Sequence, residues 1–276
     1  MCVPHDLLIP SVGVITDIIN ETSDTKTFFV SGADGKKVFD HLPGQCAMIG
    51  IPGVGEAMFS ISSSPSCELM EFTIKSVGKL TNYLHKLGAG SQLTVRGPYG
   101  TPFPVKDILQ NRDLLFIAGG IGIAPLRSVI RYVLHNRGEY GAADIVYGAR
   151  SSADLLFVEE IREKWQTAKD TTVSLTIDRA EDGWDGHVGF VPSYVTEIGF
   201  DTSKTALVCG PPIMIKYTLE ALINMGFKKE QVYTTLEMRM KCGIGKCGRC
   251  NIGAKYICKD GPVFRCDELD HVPDEF

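Results

Sequence analysis

The chain has 276 residues, 44% hydrophobic and 22% charged, with 28 Lys and Arg against 33 Asp and Glu. That length predicts about two globular domains, and a net charge of −5 argues against a nucleic-acid surface. No basic segment leads into a long apolar run at the start, and no run nears the roughly 20 residues of a membrane span. The chain is therefore expected in the cytoplasm, where clustered cysteines mean metal or redox chemistry rather than disulfides.

The first hundred residues alternate β-like runs with Gly, Pro and Ser clusters: VGVITDII, KTFFV, QCAMIGI, FSISSS, LMEFTIK and QLTVRGPYG. Six such runs predict a small antiparallel barrel over residues 1–104. One helix is expected in TNYLHKLG, with Thr81 as N-cap and a stop at Gly88. After Pro104 the rhythm becomes strand–helix alternation: DLLFIAGG, a helix from Pro125 to about Arg137, ADIVYGAR, a helix from Asp154 to Thr167, TTVSLTID, TALVCG, a helix from Pro211 to Met225, and QVYTTL. That pattern predicts a parallel sheet with helices on both faces over 105–236. The Gly- and Cys-rich tail, 237–276, is too short and irregular for a core of its own.

Three motifs carry chemistry. In FSISSSP, Phe59 to Pro65, an aromatic ring followed by hydroxyls can cover and hydrogen-bond a flat heterocycle, and Gly78 and Thr81 at a helix start can hold phosphate oxygens. A serine-rich strand and turn is the bland alternative. AGGIGIAP, Ala118 to Pro125, and VCGPP, Val208 to Pro212, each stand where a strand passes into a helix, so together they define a ligand crevice at strand carboxyl ends. Pro125 replaces the last glycine of the usual dinucleotide fingerprint. Cys209 is either beside the reactive ring of that ligand or a buried strand-end thiol. Arg150, after the second strand of this half, is placed for an adenosine ribose or pyrophosphate, or is simply exposed; Asp178, after the third, would repel an extra phosphate if it pointed inward.

The third motif is KCGIGKCGRCNIGAKYIC, Lys241 to Cys258. Cys242, Cys247, Cys250 and Cys258 follow C-x4-C-x2-C-x7-C, the plant-type [2Fe–2S] spacing; a zinc ribbon fits the x4 gap poorly. Glycines between the ligands let the backbone curl and aim N–H groups at sulfur. Cys266 reads as an ordinary thiol. Lys241, Lys246 and Arg249 either greet an acidic partner, tune the cluster, or form a solvated face.

These motifs in this order resemble the ferredoxin-NADP reductase superfamily, and the tail resembles the gamma subunits of cytoplasmic NAD(P)-linked nickel–iron hydrogenases. It is also similar to the electron-transfer subunit of anaerobic sulfite reductase and, more distantly, to that of dihydroorotate dehydrogenase. The resemblance implies a flavin barrel, an NAD(P)H domain and a [2Fe–2S] tail. It assigns Phe59, Ser60, Ile61, Ser62, Lys75, Gly78 and Thr81 to FAD, and Gly119, Gly120, Gly122, Pro125, Gly210 and Pro211 to nucleotide binding, to which the position of Arg150 adds a candidate. Cys209 and Glu237 are the candidate catalytic side chains. Ala57 stands where the flavin motif carries arginine, which leaves FAD implied by the family rather than by these residues. The expected function is an electron-transfer subunit exchanging electrons with a partner catalytic subunit, hydrogenase-like, and other iron–sulfur subunits. A zinc-stapled binding protein is the rival from another class.

Overall fold

The computed structural model describes residues 7–270. Strands β1 (Ser11–Asn20), β2 (Thr25–Gly32), β3 (Cys46–Ile51), β4 (Gly55–Ser60), β5 (Met70–Lys75) and β6 (Gln92–Tyr99) form one sheet, ordered β4-β3-β6-β1-β2-β5. Every pairing in it is antiparallel. Inward residues such as Ile15, Phe28, Val30, Ile49, Phe72 and Val95 fill its interior. The β-like run FSISSS leaves the strand after Ser60, and its serines close the seam between the sheet's two ends. Ser62 N–H donates to Glu71 O at 2.9 Å, the Ser62 hydroxyl donates to the same oxygen at 3.0 Å, and Glu71 N–H donates to Ser63 Oγ at 3.1 Å. Helix α1 (Lys79–Leu84) starts two residues before the expected Thr81. The Thr81 hydroxyl accepts from the Val77 and Gly78 N–H groups inside that first turn.

The second sheet is parallel, as the strand–helix alternation predicts. Its elements are β7 (Leu114–Gly119), α2 (Ile123–His135), β8 (Ala143–Ala149), α3 (Val158–Glu160), β9 (Thr171–Ile177), β10 (His187–Val188), α4 (Val191–Ile198), β11 (Thr205–Cys209), α5 (Pro212–Met225) and β12 (Val232–Thr235). The continuous apolar run LLFIAG of β7 is buried along its whole length, which is what a strand covered on both faces requires. The helix expected over 154–167 is broken. Phe157 takes a left-handed φ of 58°, which aims its N–H at Glu21 Oε2 (3.1 Å) and places its ring 4.5 Å from the Arg127 guanidinium carbon. Only three residues of α-helix and a π-helical turn, Ile161–Trp165, follow.

The tail departs from expectation by joining the fold. After a small hairpin, β13 (Asn251–Ile252) and β14 (Lys255–Tyr256), and the turn α6 (Ile257–Asp260), strand β15 (Val263–Arg265) pairs antiparallel with β12 and becomes the sheet's last strand. Leu236, Ile252, Ile257, Phe264, Cys250 and Cys258 bury one another in a small apolar cluster. The tail therefore has a core, built partly from its own cysteines.

Barrel and parallel sheet are joined by buried charge. Arg127 and Arg131 lie on one face of α2, four residues apart. Arg127 pairs with Glu71 of β5 and, at 2.7 Å, with Glu160 of α3; Arg131 reaches Glu71 at 2.8 Å. The side chains of Arg127 and Glu71 are 6% and 4% exposed. Ser128 adds a 2.6 Å bond to Ser63 O, so α2 is stitched directly onto the barrel seam. Removing one partner of such a set strands a buried charge, at a cost of about 3–5 kcal/mol. Arg127→Ala is expected to lose that much in urea unfolding, and Arg127→Met with Glu71→Gln to recover part of it. Burial pushes the Glu71 carboxyl up, but Arg127 and Arg131 outweigh it and hold it below its ordinary 4.5. A carboxyl depressed on folding stabilises the protein above its unfolded value, and that stability is lost as pH falls through the folded one. Unfolding midpoints should therefore fall below about pH 4.5, with a shallower acid limb in Glu71→Gln.

Candidate functional site

Neighbouring strands β7 and β11 deliver the two Gly/Pro turns to one edge of the sheet. The turns touch: a Cβ added to Gly122 would lie 2.5 Å from Cys209 O and 2.6 Å from Gly210 Cα. Only glycine permits that approach. Above the turns opens a cleft of about 890 Å³, lined on the sheet side by Gly119, Gly120, Arg150, Asp178 and Pro211, and on the barrel side by Asp24, Thr25 and Lys75. Its size and its place outside the carboxyl ends of parallel strands suit a dinucleotide. Lys75 is ion-paired with Asp24 at 2.9 Å, and Arg150 is largely exposed, 3.5 Å from Asp154. Burial raises the Asp178 carboxyl, which the nearby Arg179 and Arg150 partly offset. Pro125 is buried within the first turn of α2, where its missing backbone N–H costs nothing.

A second hollow, about 530 Å³, brings together Gly122, Gly210, Pro211, Thr235 and Glu237 on the other side of the turns. Here the ends of the two sheets approach. The Cys209 thiol lies 2.8 Å from Thr235 Oγ1, and Cys46 of β3 lies 3.9 Å from Ser60 of β4. Burial pushes both thiols up to about 12, so they stay neutral and are not nucleophiles. Glu237 is at the rim: its side chain is exposed, yet enclosed enough by the surrounding atoms that desolvation raises its carboxyl. Phe59 and Ser60 are half-buried at the end of β4. Ile61 and Ser62 are both 0% exposed, Ile61 in the barrel core and Ser62 bonded across the seam. Thr81 is likewise engaged within α1, while Gly78 faces open space.

The four motif cysteines lie in two pairs. Cys242 and Cys247 contact one another in the loop, as do Cys250 and Cys258 where it returns. Gly243, Gly245 and Gly248 take φ of 81°, 71° and 71°, turning the backbone inward so that its N–H groups meet sulfur. Gly245 N–H donates to Cys258 Sγ at 3.2 Å, and Lys246 and Cys247 N–H donate to Cys242 Sγ at 3.3 and 3.4 Å. Burial raises the Cys242 thiol, but these donors and that of Ile244 outweigh it and bring it down to about 6. Among the described residues no three His, Cys, Asp or Glu side chains gather for a single metal ion. Two thiol pairs fringed by amide donors are the donor set of a two-iron cluster. Cys266 belongs to a different apolar cluster, packed with Leu222 and Val232, and stands apart from this set.

Arg96 is not legible as a site residue from the sequence. Buried at 7%, it donates to Cys242 O at 3.1 Å and Lys241 O at 2.9 Å while pairing with Glu56. It thereby fastens the cysteine loop to the barrel across more than 140 residues of sequence, a contact with no local signature.

An oxidoreductase NAD-binding domain model matches residues 116–220, and the model of the iron–sulfur cluster binding domain of dihydroorotate dehydrogenase B matches residues 237–270. The sulfhydrogenase 1 gamma subunit of Pyrococcus furiosus is 44% identical over 84% of this chain and 81% of its own. The probable dihydroorotate dehydrogenase B (NAD(+)) electron transfer subunit of Methanocaldococcus jannaschii is 34% identical over 95% and 92%. Among solved structures, an NADH-dependent reduced ferredoxin-NADP oxidoreductase superposes with a TM-score of 0.75 at 25% identity, over 93% of this chain and 88% of that one. The iron–sulfur match removes the zinc-stapled alternative. With its paired-thiol tail and nucleotide crevice, the chain belongs to the family of NAD-binding, iron–sulfur electron-transfer subunits that includes those of sulfhydrogenase and dihydroorotate dehydrogenase.

Proposed function

We propose that this chain carries electrons between NAD(P)H and a partner catalytic subunit in the cytoplasm, using FAD and a [2Fe–2S] cluster. The partner is hydrogenase-like, a reading supported by the 44% identity to a sulfhydrogenase gamma subunit. When bound, the two cofactors convert a hydride's electron pair into single electrons. The chain's own residues supply position. Gly119, Gly120, Gly122, Gly210 and Pro211 leave backbone room for the coenzyme, with Arg150 and Lys75 at the cleft walls. Phe59, Ser60 and Gly78 face the flavin, and Lys75 stands at the same boundary. Cys242, Cys247, Cys250 and Cys258 ligate the cluster. Glu237, raised by desolvation beside the neutral Cys209, holds or releases a proton at the junction. No helix among the described residues is long and apolar enough to cross a membrane. One observation carries the reading: the nucleotide turns and the cysteine-bearing tail are both fastened to the barrel, by Arg127 and Arg96 respectively, and line one hollow together.

The test is cofactor analysis of anaerobically purified protein. FAD, iron and acid-labile sulfide should be present, and NADH or NADPH should bleach the flavin and produce a paramagnetic cluster signal. In Cys250→Ser the signal should vanish while bleaching persists. Protein with stoichiometric zinc and no flavin would sink the proposal. Gly122→Ala should separate the two turns, raising the KM for the coenzyme and lowering stability by about 1–3 kcal/mol, read by steady-state kinetics and urea unfolding.

A further inference from the structure

The charge of this chain is segregated. From Arg239 to Lys259 there are six basic residues (Arg239, Lys241, Lys246, Arg249, Lys255 and Lys259) and no acidic one, leaving 22 basic against 33 acidic residues elsewhere. Five of the six are exposed and Lys255 is half-buried. None forms an ion pair among the described residues, although twelve such pairs occur in the rest of the fold. All six sit on the segment that carries the cysteines, from the loop through the hairpin to α6, and Cys247 is itself exposed between Lys246 and Arg249. A two-iron cluster on four thiolates carries about two negative charges when oxidised, so six cations exceed what neutralising it requires. Asp260, the next acid along the chain, is turned back to accept the Tyr256 N–H at 2.7 Å.

We propose that this basic collar is the docking surface for an acidic face of an electron-accepting protein. The inference rests on the electron-carrier reading above and adds to it the chemistry of the partner and the place where it lands. An acidic partner is drawn to the collar by a field that salt screens over about 10 Å at 0.1 M, and it arrives with the exposed Cys247 edge at the centre of the contact. The rest of the chain, being net acidic, repels the same partner elsewhere, which selects orientation as well as rate.

The probe is a small acidic [2Fe–2S] ferredoxin, with cationic cytochrome c as its opposite, titrated calorimetrically into the intact holoprotein at about 20 mM and about 300 mM salt. Ferredoxin should bind at low salt and weaken by about tenfold or more at high salt. Arg249→Glu with Lys259→Glu should weaken ferredoxin binding at low salt to a similar extent and create affinity for cytochrome c. Lys36→Glu with Lys164→Glu, the same charge change on other surfaces, should alter neither. Salt-independent ferredoxin binding, no binding, or equal losses in the two variants would overturn the collar. Iron and sulfide assays confirm that the variant keeps its cluster; if it does not, the salt series on the unaltered protein decides. Binding is read without turnover, so the two readings fail separately. Absent flavin and cluster defeat the electron-carrier reading, whereas a reducible cluster with no charge-dependent binding defeats the collar alone.

Discussion

The fold turns on Arg127. Its guanidinium is buried between Glu71, on the last strand of the barrel sheet, and Glu160, on the short helix after β8, while its planar face meets the ring of Phe157. Removing these ions from water costs several kcal/mol each, which is recovered only when the geometry satisfies nearly every donor and acceptor. Here it does: Arg127 reaches both carboxylates, Arg131 takes the second Glu71 oxygen, and Trp165 Nε1–H donates to Glu160 at 3.2 Å. A lysine could not span two partners in one plane. Because the buried Glu71 of the barrel takes both its ion-pair partners, Arg127 and Arg131, from α2, the two sheets are locked in one relation. The cleft between Lys75 and the Gly119–Gly120 turn inherits its width from that relation.

Arg96 performs the corresponding task for the cysteine loop, with weaker means. Glu56 is 43% exposed, so the ion pair itself is screened. The stronger part is the pair of bonds to the carbonyls of Lys241 and Cys242, made from a side chain 9% exposed. Those bonds fix the first cysteine of the loop relative to β6, next to β3 and its Cys46. The tail is held a second time by β15 on β12 and by Thr101, whose N–H donates to Gly261 O at 2.6 Å and whose hydroxyl donates to Val263 O at 3.0 Å. A loop anchored at three places cannot wander, which electron transfer over fixed distance requires.

Much of this is legible in the sequence, and the exceptions share a cause. Period-two alternation and the strand–helix rhythm locate the barrel strands and the parallel sheet because both are local consequences of burial. The C-x4-C-x2-C spacing is local too. In FSISSSP the Ser62 hydroxyl reads as a flavin contact, while its seam bond to Glu71, like that of Ser63, has no local signature. The helix expected from Asp154 stops short because Phe157 takes a left-handed turn to serve Glu21 and Arg127, a tertiary demand that overrides helix propensity. Arg96, Arg127 and β15 are invisible for the same reason, since the partners that matter lie 28 to 146 residues away in the chain.

The junction of the sheets and the neighbouring cysteine loop also differ electrostatically, in the sense the two halves of the chemistry demand. At the junction of the sheets Cys46 and Cys209 are pushed up to about 12 and Glu237 is raised. All three shifts come first from burial; the two thiols are buried, and Glu237 stands exposed at the rim of the hollow beside them. Hydride transfer moves two electrons and a proton's mass together, and it is favoured where water is excluded and geometry is fixed. Around the cysteine loop the opposite holds: amide donors bring Cys242 down to about 6 against burial, and exposed cations surround it. Single-electron exchange leaves an uncompensated charge on the carrier, and a ring of N–H dipoles and basic side chains is what stabilises it. The charged loop, on the tail that Arg96, Thr101 and β15 anchor, lies beside the junction of neutral thiols, so each half of the reaction has its own electrostatic setting.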